Sequence, residues 1–154
     1  MSLSVRAFMK MYKYRSFDWK PGSVLTKPVT EAKLAIVTTA GFYPKGAKNF
    51  TYSIKGGDWS YRIFPTDLGV SNAIVGHKSP SFDHAGIEDD PNLALPIDRF
   101  KALEKNGEIG PIAPRHFSFM GATLSPGRYL KFTAPEVARL LKEDQVDAVF
   151  LTPV

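Results

Sequence analysis

The C-terminal part of the chain joins an amphipathic helix pattern to a short apolar strand pattern, and this order constrains the fold. Ala134–Asp144 places Val137, Leu140 and Leu141 on one side, as in a helix that buries one face. Val146–Leu151 is apolar, rich in β-forming residues and too short for another helix, so we predict a strand. A helix that leads into a buried strand is typical of parallel sheets covered by helices.

The same alternation of strands and helices recurs upstream. Lys33–Thr39 runs into Ala40-Gly41, which predicts a central strand ending in a glycine turn. A second helix is predicted from Pro96 to the Asn106-Gly107 cap, and Thr133 is predicted to be the N-cap of the last helix. Shorter strands are predicted over Trp59–Phe64, Val70–Val75 and Ile109–Ala113, and loops over Phe42–Asp58, Gly76–Pro91 and Pro114–Pro126. We therefore expect an α/β fold, a three-layer sandwich with a largely parallel open sheet.

Composition limits the classes of protein to consider. A chain of 154 residues suits one domain, and it contains neither a long apolar run for a membrane span nor a signal peptide. It has no cysteine, which excludes disulfides, thiolate metal sites and a cysteine nucleophile within these residues. We expect a cytoplasmic protein with no membrane association.

The positive charge is concentrated at the N-terminus. Residues 1–33 hold seven Lys or Arg and two acids, whereas residues 34–154 hold thirteen of each. We expect residues 1–32 to form a basic, aromatic arm that packs on a single domain of residues 33–154. The alternation of basic and aromatic residues in the arm also suits nucleic acid, but packing on the domain is the favoured interpretation.

All three histidines fall in predicted loops, where functional groups collect. His77 and His84 follow the Val70–Val75 strand, and His116 precedes the last helix. Together with Asp83, Asp89 and Asp90, the first two have the ligand types of a zinc or iron site, but their spacing matches no named motif. We therefore predict no metal. We favour the histidines as acids, bases or substrate clamps over a metal site, and solvated loop charges are the alternative interpretation.

Two segments are candidates for binding a carboxylate. Pro114–Gly121 brings together Arg115, His116 and Ser118, which supply a two-pronged donor, a proton donor and a hydroxyl. Packing of its aromatic residues in the core is an equally good interpretation. Residues 56–62 are similar in kind, with Asp58, Ser60 and Arg62, although a glycine turn before a strand explains most of that pattern. The predicted catalytic set is His77, His84 and His116, and the predicted substrate-binding set is Asp58, Ser60, Arg62, Asp83, Arg115 and Ser118.

Six phrases, in this order, resemble the selenoprotein B family of the glycine, sarcosine, betaine and D-proline reductases. They are LAIVTTAG (34–41), GDWSYR (57–62), GH followed by DH (76–84), LPIDRFKAL (95–103), GEIGPIAPRHFSFMG (107–121) and TAPEVARLLKEDQVDAVFLTPV (133–154). In that family the strand end that resembles TPV is followed directly by selenocysteine, or by cysteine in some members. The resemblance thus implies a selenocysteine immediately after Val154, missing here because its UGA codon was treated as a stop, with no other cofactor in the chain.

The resemblance implies a reductase that uses a selenol or thiol, acts on a small carboxylate-bearing substrate, works with a redox protein partner and is inactive in the 154-residue form. The alternative is a carboxylate-binding or accessory subunit without redox chemistry. Nucleic-acid binding through the arm is the third and least favoured reading, and a homo-oligomer is left open.

Overall fold

A four-stranded sheet forms the centre of the molecule. The computed structural model describes residues 22–51, 56–77, 79, 82–121, 123 and 126–154, together with residues 6, 7, 10, 11 and 18. Strands β1 (Leu34–Thr38), β5 (Arg115–Phe119) and β6 (Ala148–Thr152) are parallel, and β3 (Tyr61–Pro65) runs antiparallel to β5. The strand order is β3-β5-β1-β6, so β1 and β5 are central.

Smaller elements surround this sheet. Strands β2 (Phe42–Pro44) and β4 (Ala73–Val75) form an antiparallel two-stranded sheet. Among residues 22–154, the described helices are α1 (Ala85–Asp89), α2 (Ile97–Lys105) and α3 (Ala134–Glu143), and a π-helix, Tyr129–Thr133, leads directly into α3. Short 3₁₀ turns cover Thr66–Leu68, Val70–Asn72 and Pro91–Leu93.

The central strands bury side chains on both faces, because successive residues of a strand point to opposite sides. Leu34 and Ile36 belong to a core cluster that includes Ile97 and Phe100 of α2. Phe117 and Phe119 belong to a second cluster that includes Val137 of α3, with Val37 packed against it. This double burial explains why β1 is an almost continuous apolar run.

The α/β fold with a mostly parallel sheet is confirmed, and so are the main predicted helices and strands. The predicted strand at Val70–Val75 is shorter, because Val70–Asn72 forms a 3₁₀ turn. Ile109–Ala113 contributes only one bridge, from Ile112 to Leu34. Thr133 is not an N-cap, because it lies within continuous helix and its side chain makes no capping bond. The three-layer stacking stays a prediction.

The predicted loop over Pro114–Pro126 is wrong over its first half, where β5 forms between β1 and β3. Its two prolines and its polar residues concealed a strand in which Phe117 and Phe119 alternate with His116 and Ser118. The predicted loop at Gly76–Pro91 similarly contains the short helix α1.

The N-terminal arm is predicted over residues 1–32. The structure describes only residues 6, 7, 10, 11 and 18 of the first 21, so the packing of the arm stays a prediction. Within the part of the chain that the structure describes, no helix has both the length and the apolar character needed to cross a bilayer.

Candidate active site

The carboxyl ends of three parallel strands meet at one edge of the sheet, where open α/β folds usually bind ligands. Residues 39–41 follow β1, residues 120–121 follow β5, and residues 153–154 follow β6. Because β3 is antiparallel, its amino end lies at the same edge, with Tyr61 opposite Phe119. The loop that carries Asp58 and Ser60 therefore reaches this edge as well.

Thr39 holds the end of β6 against the end of β1. Its backbone N donates to Thr152 O at 3.2 Å. Its Oγ1 accepts from Val154 N at 2.9 Å and lies 3.2 Å from Val154 O, to which it donates. The backbone of Val154 is thus fixed at the rim of the sheet.

Gly121 lets the end of β5 approach β1 closely. Its φ is +75°, and a Cβ at this position would stand 2.3 Å from Thr39 O. A non-glycine residue would therefore be strained and would also displace the backbone of Thr39.

A cavity of about 310 Å³ opens beside Thr39 and Gly121. Its walls are mainly apolar, and the rings of Phe119 and Tyr129 lie 5.5 Å apart, centroid to centroid. The Tyr129 hydroxyl donates to Asp58 O at 2.8 Å. Burial, followed by the Asp58 charge, raises the pKa of Tyr129 to about 12, so the phenol is neutral at physiological pH. The remaining lining residues are Thr123, Pro126 and Ala134.

The structure brings Asp58, Ser60 and Arg62 together, as predicted from the sequence. Asp58 accepts hydrogen bonds from Thr51 N at 2.7 Å and from Ser60 N at 2.8 Å, and also from Ser60 Oγ. Burial raises the pKa of Asp58, but these hydrogen bonds and the Arg62 charge outweigh it and leave the pKa below its ordinary value. These residues line a second cavity of about 460 Å³, together with Lys48, Thr51 and Trp59.

Arg62 is already bound to the neighbouring backbone. Its Nε donates to Lys48 O at 2.6 Å, and its Nη2 donates to Asn49 O at 2.8 Å. Nη1 donates to Ser60 Oγ and Tyr61 O, and the guanidinium lies 4.2 Å from the centroid of the Phe50 ring. Arg62 therefore holds the 48–51 segment in place. A ligand that binds Arg62 would have to share or displace these hydrogen bonds.

His77 and His84 form a contacting pair. His84 Nε2 lies 3.4 Å from His77 Nδ1, which also accepts from Ser79 N at 3.3 Å. These partners assign the proton of neutral His77 to Nε2. Burial, and then the charge of His84, lowers the pKa of His77. A Cβ on Gly41 would lie 3.0 Å from His77 N, so the pair adjoins the turn after β1.

Arg115 and His116 lie at the start of β5, away from the carboxyl edge. His116 is fully buried, with Nδ1 accepting from Ile36 N at 3.1 Å and Nε2 lying 3.1 Å from Thr66 Oγ1. Burial, followed by the charge of Lys101, lowers the pKa of His116 to about 4. Arg115 forms a two-pronged ion pair with Asp144, with Nε at 2.6 Å and Nη2 at 3.0 Å.

The other two predicted substrate-binding residues differ in exposure, since Ser118 is buried and Asp83 is exposed. Ser118 is fully buried in β5, and its Oγ has no hydrogen-bond partner among the described residues. Asp83 Oδ1 accepts from Ala85 N at 3.0 Å at the start of α1. Asp90 binds Asn92 and Arg99, so Asp83 and Asp90 of the set considered for a metal have separate partners. No group of three or more potential ligands converges within the described ranges.

Two features of this edge were missed from the sequence: Thr39 and Tyr129. Thr39 directly follows β1, and strand ends are a usable signal once the strands are known. Tyr129 had no such signal, because its position depends on the π-helix before α3.

Comparison with known proteins gives a consistent result. The family model of glycine/sarcosine/betaine reductase selenoprotein B matches residues 2–154. D-proline reductase subunit gamma of Acetoanaerobium sticklandii is 37% identical over 134 residues, covering 87% of this chain and 52% of that protein. No solved structure matches the chain.

Two relatives from Peptoclostridium acidaminophilum are more distant. Glycine reductase complex component B subunit gamma is 33% identical over 152 residues, which cover 92% of this chain and 32% of the relative. Sarcosine reductase complex component B subunit beta is 30% identical over 151 residues, which cover 97% of this chain and 34% of the relative. The chain therefore spans about a third to about half of the length of these relatives.

Proposed function

Because the chain belongs to the glycine/sarcosine/betaine reductase selenoprotein B family, we propose that it is a component of a reductase complex whose reactive group lies next to Val154. The observation that carries the proposal is the clamp of Val154 by Thr39 beside the 310 Å³ cavity. A residue encoded after Val154 would begin at this rim.

The family resemblance supplies the chemistry of the proposal. A selenocysteine or cysteine after Val154 would provide a nucleophilic anion, because the ionised form of such a side chain is the reactive one. The phenol that lines the adjoining cavity stays protonated and so adds no negative charge beside such an anion. Among the described residues, the His77 and His84 pair is the best candidate for a proton donor or acceptor near this edge.

The substrate class is a small molecule that bears a carboxylate. The cavity is at the lower end of the size range of small-molecule sites. The names of the relatives give D-proline, glycine and sarcosine as the first compounds to test. Arg62, Ser60 and Asp58 are retained as candidate substrate contacts in the adjacent cavity. Arg115 and His116 are left out because they bind internal partners, Ser118 because it is fully buried, and Asp83 because it binds the backbone at the start of α1.

The first experiment is to sequence the native gene beyond the Val154 codon. A UGA codon followed by codons for Pro-Val-Cys supports the selenol reductase. An ordinary stop codon would contradict it and would favour the alternative, a carboxylate-binding accessory subunit that uses the same cavity.

A binding experiment tests the cavity itself. Ala134 lines the cavity at the start of α3, and Ala138 is an exposed alanine of the same helix that does not line it. We expect Ala134→Leu to weaken calorimetric binding of D-proline, glycine or sarcosine by about tenfold or more, because it fills the cavity. Ala138→Leu is the matched control and should change nothing. Equal binding by both variants would exclude this cavity as the substrate site.

A further inference from the structure

Thr133 has a buried hydroxyl that no contact in the described structure explains. The residue is 4% exposed, and its Oγ1 has no hydrogen-bond partner among the described residues. A threonine inside a helix can donate its hydroxyl to the carbonyl four residues earlier. Here that carbonyl, Tyr129 O, already accepts from Ala134 N, and the Thr133 side chain caps no helix. A buried polar group without a partner is costly, so it needs an explanation.

Thr133 lies beside the 310 Å³ cavity at the carboxyl edge of the sheet. It follows Tyr129 by one helical turn and directly precedes Ala134, and both of these residues line the cavity. Residues four apart lie on the same side of a helix, so Thr133 shares the side that carries Tyr129. Because the cavity walls are mainly apolar, a single polar group at them has a large influence on which ligand binds.

The other hydroxyls described around this cavity are committed to internal hydrogen bonds. Thr39 Oγ1 binds the backbone N and O of Val154. The hydroxyls of Thr123 and Tyr129 each donate to a backbone carbonyl at 2.8 Å. Among the described residues at the cavity, Thr133 is therefore the one whose hydroxyl can donate to a ligand without breaking an existing bond.

We propose that the Thr133 hydroxyl donates a hydrogen bond to the carboxylate of the substrate, an inference that rests on the function proposed above. Of the two charged groups of an amino acid, only the carboxylate can accept this proton. A threonine in a helix has two favourable χ1 rotamers, so its hydroxyl can turn to a ligand while the helix stays in place. The hydrogen bond is charge-assisted and selects ligands that carry a carboxylate.

Calorimetric binding of D-proline, glycine and sarcosine to the 154-residue chain tests this contact. Thr133→Val keeps the shape of the side chain and removes the hydroxyl, and we expect it to weaken binding about tenfold or more. Thr133→Ser keeps the hydroxyl and should retain most of the affinity. Equal binding by Thr133→Val and the unchanged chain would overturn the proposal.

Ser118→Ala is the matched control, because Ser118 Oγ is also buried and has no partner among the described residues. Phe117 and Phe119 pack on the side of α3, so Ser118 between them faces the opposite side of the sheet from the cavity. Ser118→Ala should leave binding unchanged, and a loss equal to that of Thr133→Val would overturn the proposal.

Urea unfolding separates a ligand contact from an internal one. Thr133→Val removes an unpaired buried hydroxyl, so the urea midpoint should stay the same or rise. A lower midpoint would show that the hydroxyl has an internal partner and would overturn the proposal.

The Ala134→Leu variant distinguishes failure of this contact from failure of the proposed function. If Ala134→Leu weakens binding and Thr133→Val does not, the cavity remains the substrate site and only the Thr133 contact is excluded. If the unchanged chain binds none of the three compounds, or if neither variant weakens binding, the proposed role of the cavity fails and the Thr133 contact fails with it.

Discussion

The Thr39 hydroxyl binds both polar groups of the Val154 backbone, accepting from N at 2.9 Å and donating to O at 3.2 Å. One side chain therefore ties the end of an edge strand to the end of the central strand. Because these groups are partly exposed, each hydrogen bond contributes modestly to global stability. We expect the local effect to be larger at Val154, because both polar groups of its backbone bind this one hydroxyl.

Thr39→Val should release this clamp while keeping the shape of the side chain. We expect a loss of about 1 kcal/mol in the free energy of unfolding, and faster amide hydrogen exchange at Val154. Urea unfolding and exchange measured by NMR check both effects. Thr39→Ser retains the hydroxyl and should keep the slow exchange; rapid exchange in both variants would show that the hydroxyl is not what holds Val154.

Gly121→Ala should be strongly destabilising for two reasons. The new Cβ would lie too close to Thr39 O, and the alanine backbone would have to adopt a positive φ. Gly107→Ala is the control: its φ is +71°, similar to the +75° of Gly121, but nothing lies within 4 Å of its Cβ position. We expect about 1 kcal/mol of strain at Gly107 and at least about 1 kcal/mol more at Gly121. Equal losses in urea unfolding would mean that the close approach to Thr39 is unimportant.

His116 should make the protein less stable as the pH falls from 6.5 toward 4. Its pKa is about 4 in the folded state against 6.5 ordinarily, so in this range the unfolded chain binds a proton that the folded protein does not. The stability lost approaches about 3 kcal/mol at the lower end of the range. His116→Gln cannot titrate, and its unfolding free energy should fall less steeply. Parallel pH profiles for the two proteins would contradict a neutral buried His116.

The pKa of His77 should lie below 6.5, as burial and the neighbouring His84 both favour its neutral form. His84→Gln removes the smaller of these causes, so the pKa of His77 should rise and yet remain below 6.5. NMR titration of the imidazole carbon-bound protons measures both values. An unchanged pKa in His84→Gln would show that the two rings do not interact electrostatically.

Arg115 and Asp144 should be strongly coupled in a double-mutant cycle. Their side chains are 26% and 12% exposed, and the pair has two short N···O contacts. We expect a coupling of about 2 kcal/mol for Arg115→Met and Asp144→Asn. The pair Arg139 and Glu143 is 60% and 50% exposed and should show below about 0.5 kcal/mol. Equal coupling energies for the two pairs would contradict the conclusion that Arg115 forms a strong structural ion pair with Asp144.

Local sequence patterns were sufficient to predict those elements whose apolar pattern lies within one short segment of the chain. The apolar run at Leu34–Thr38 predicts a strand that is buried on both faces, and the periodic apolar residues of Ala134–Glu143 predict a helix with one buried face. The end of β1, with its adjoining glycine turn, already marked one side of the carboxyl edge. The resemblance of six phrases identified the family.

Tertiary structure decided which polar residues share an edge of the sheet. The direction of β5 places Arg115 and His116 at its start, although they are close in sequence to Phe119 at its end. The antiparallel pairing of β3 with β5 brings Asp58 to the carboxyl end of β5. Direction and pairing depend on contacts between residues far apart in the chain, which a local pattern does not contain. The contact between Thr39 and Val154 depends on pairing for the same reason. Each lies at or just beyond the end of a predicted strand, but only the parallel pairing of β1 with β6 brings the Thr39 hydroxyl to the Val154 backbone.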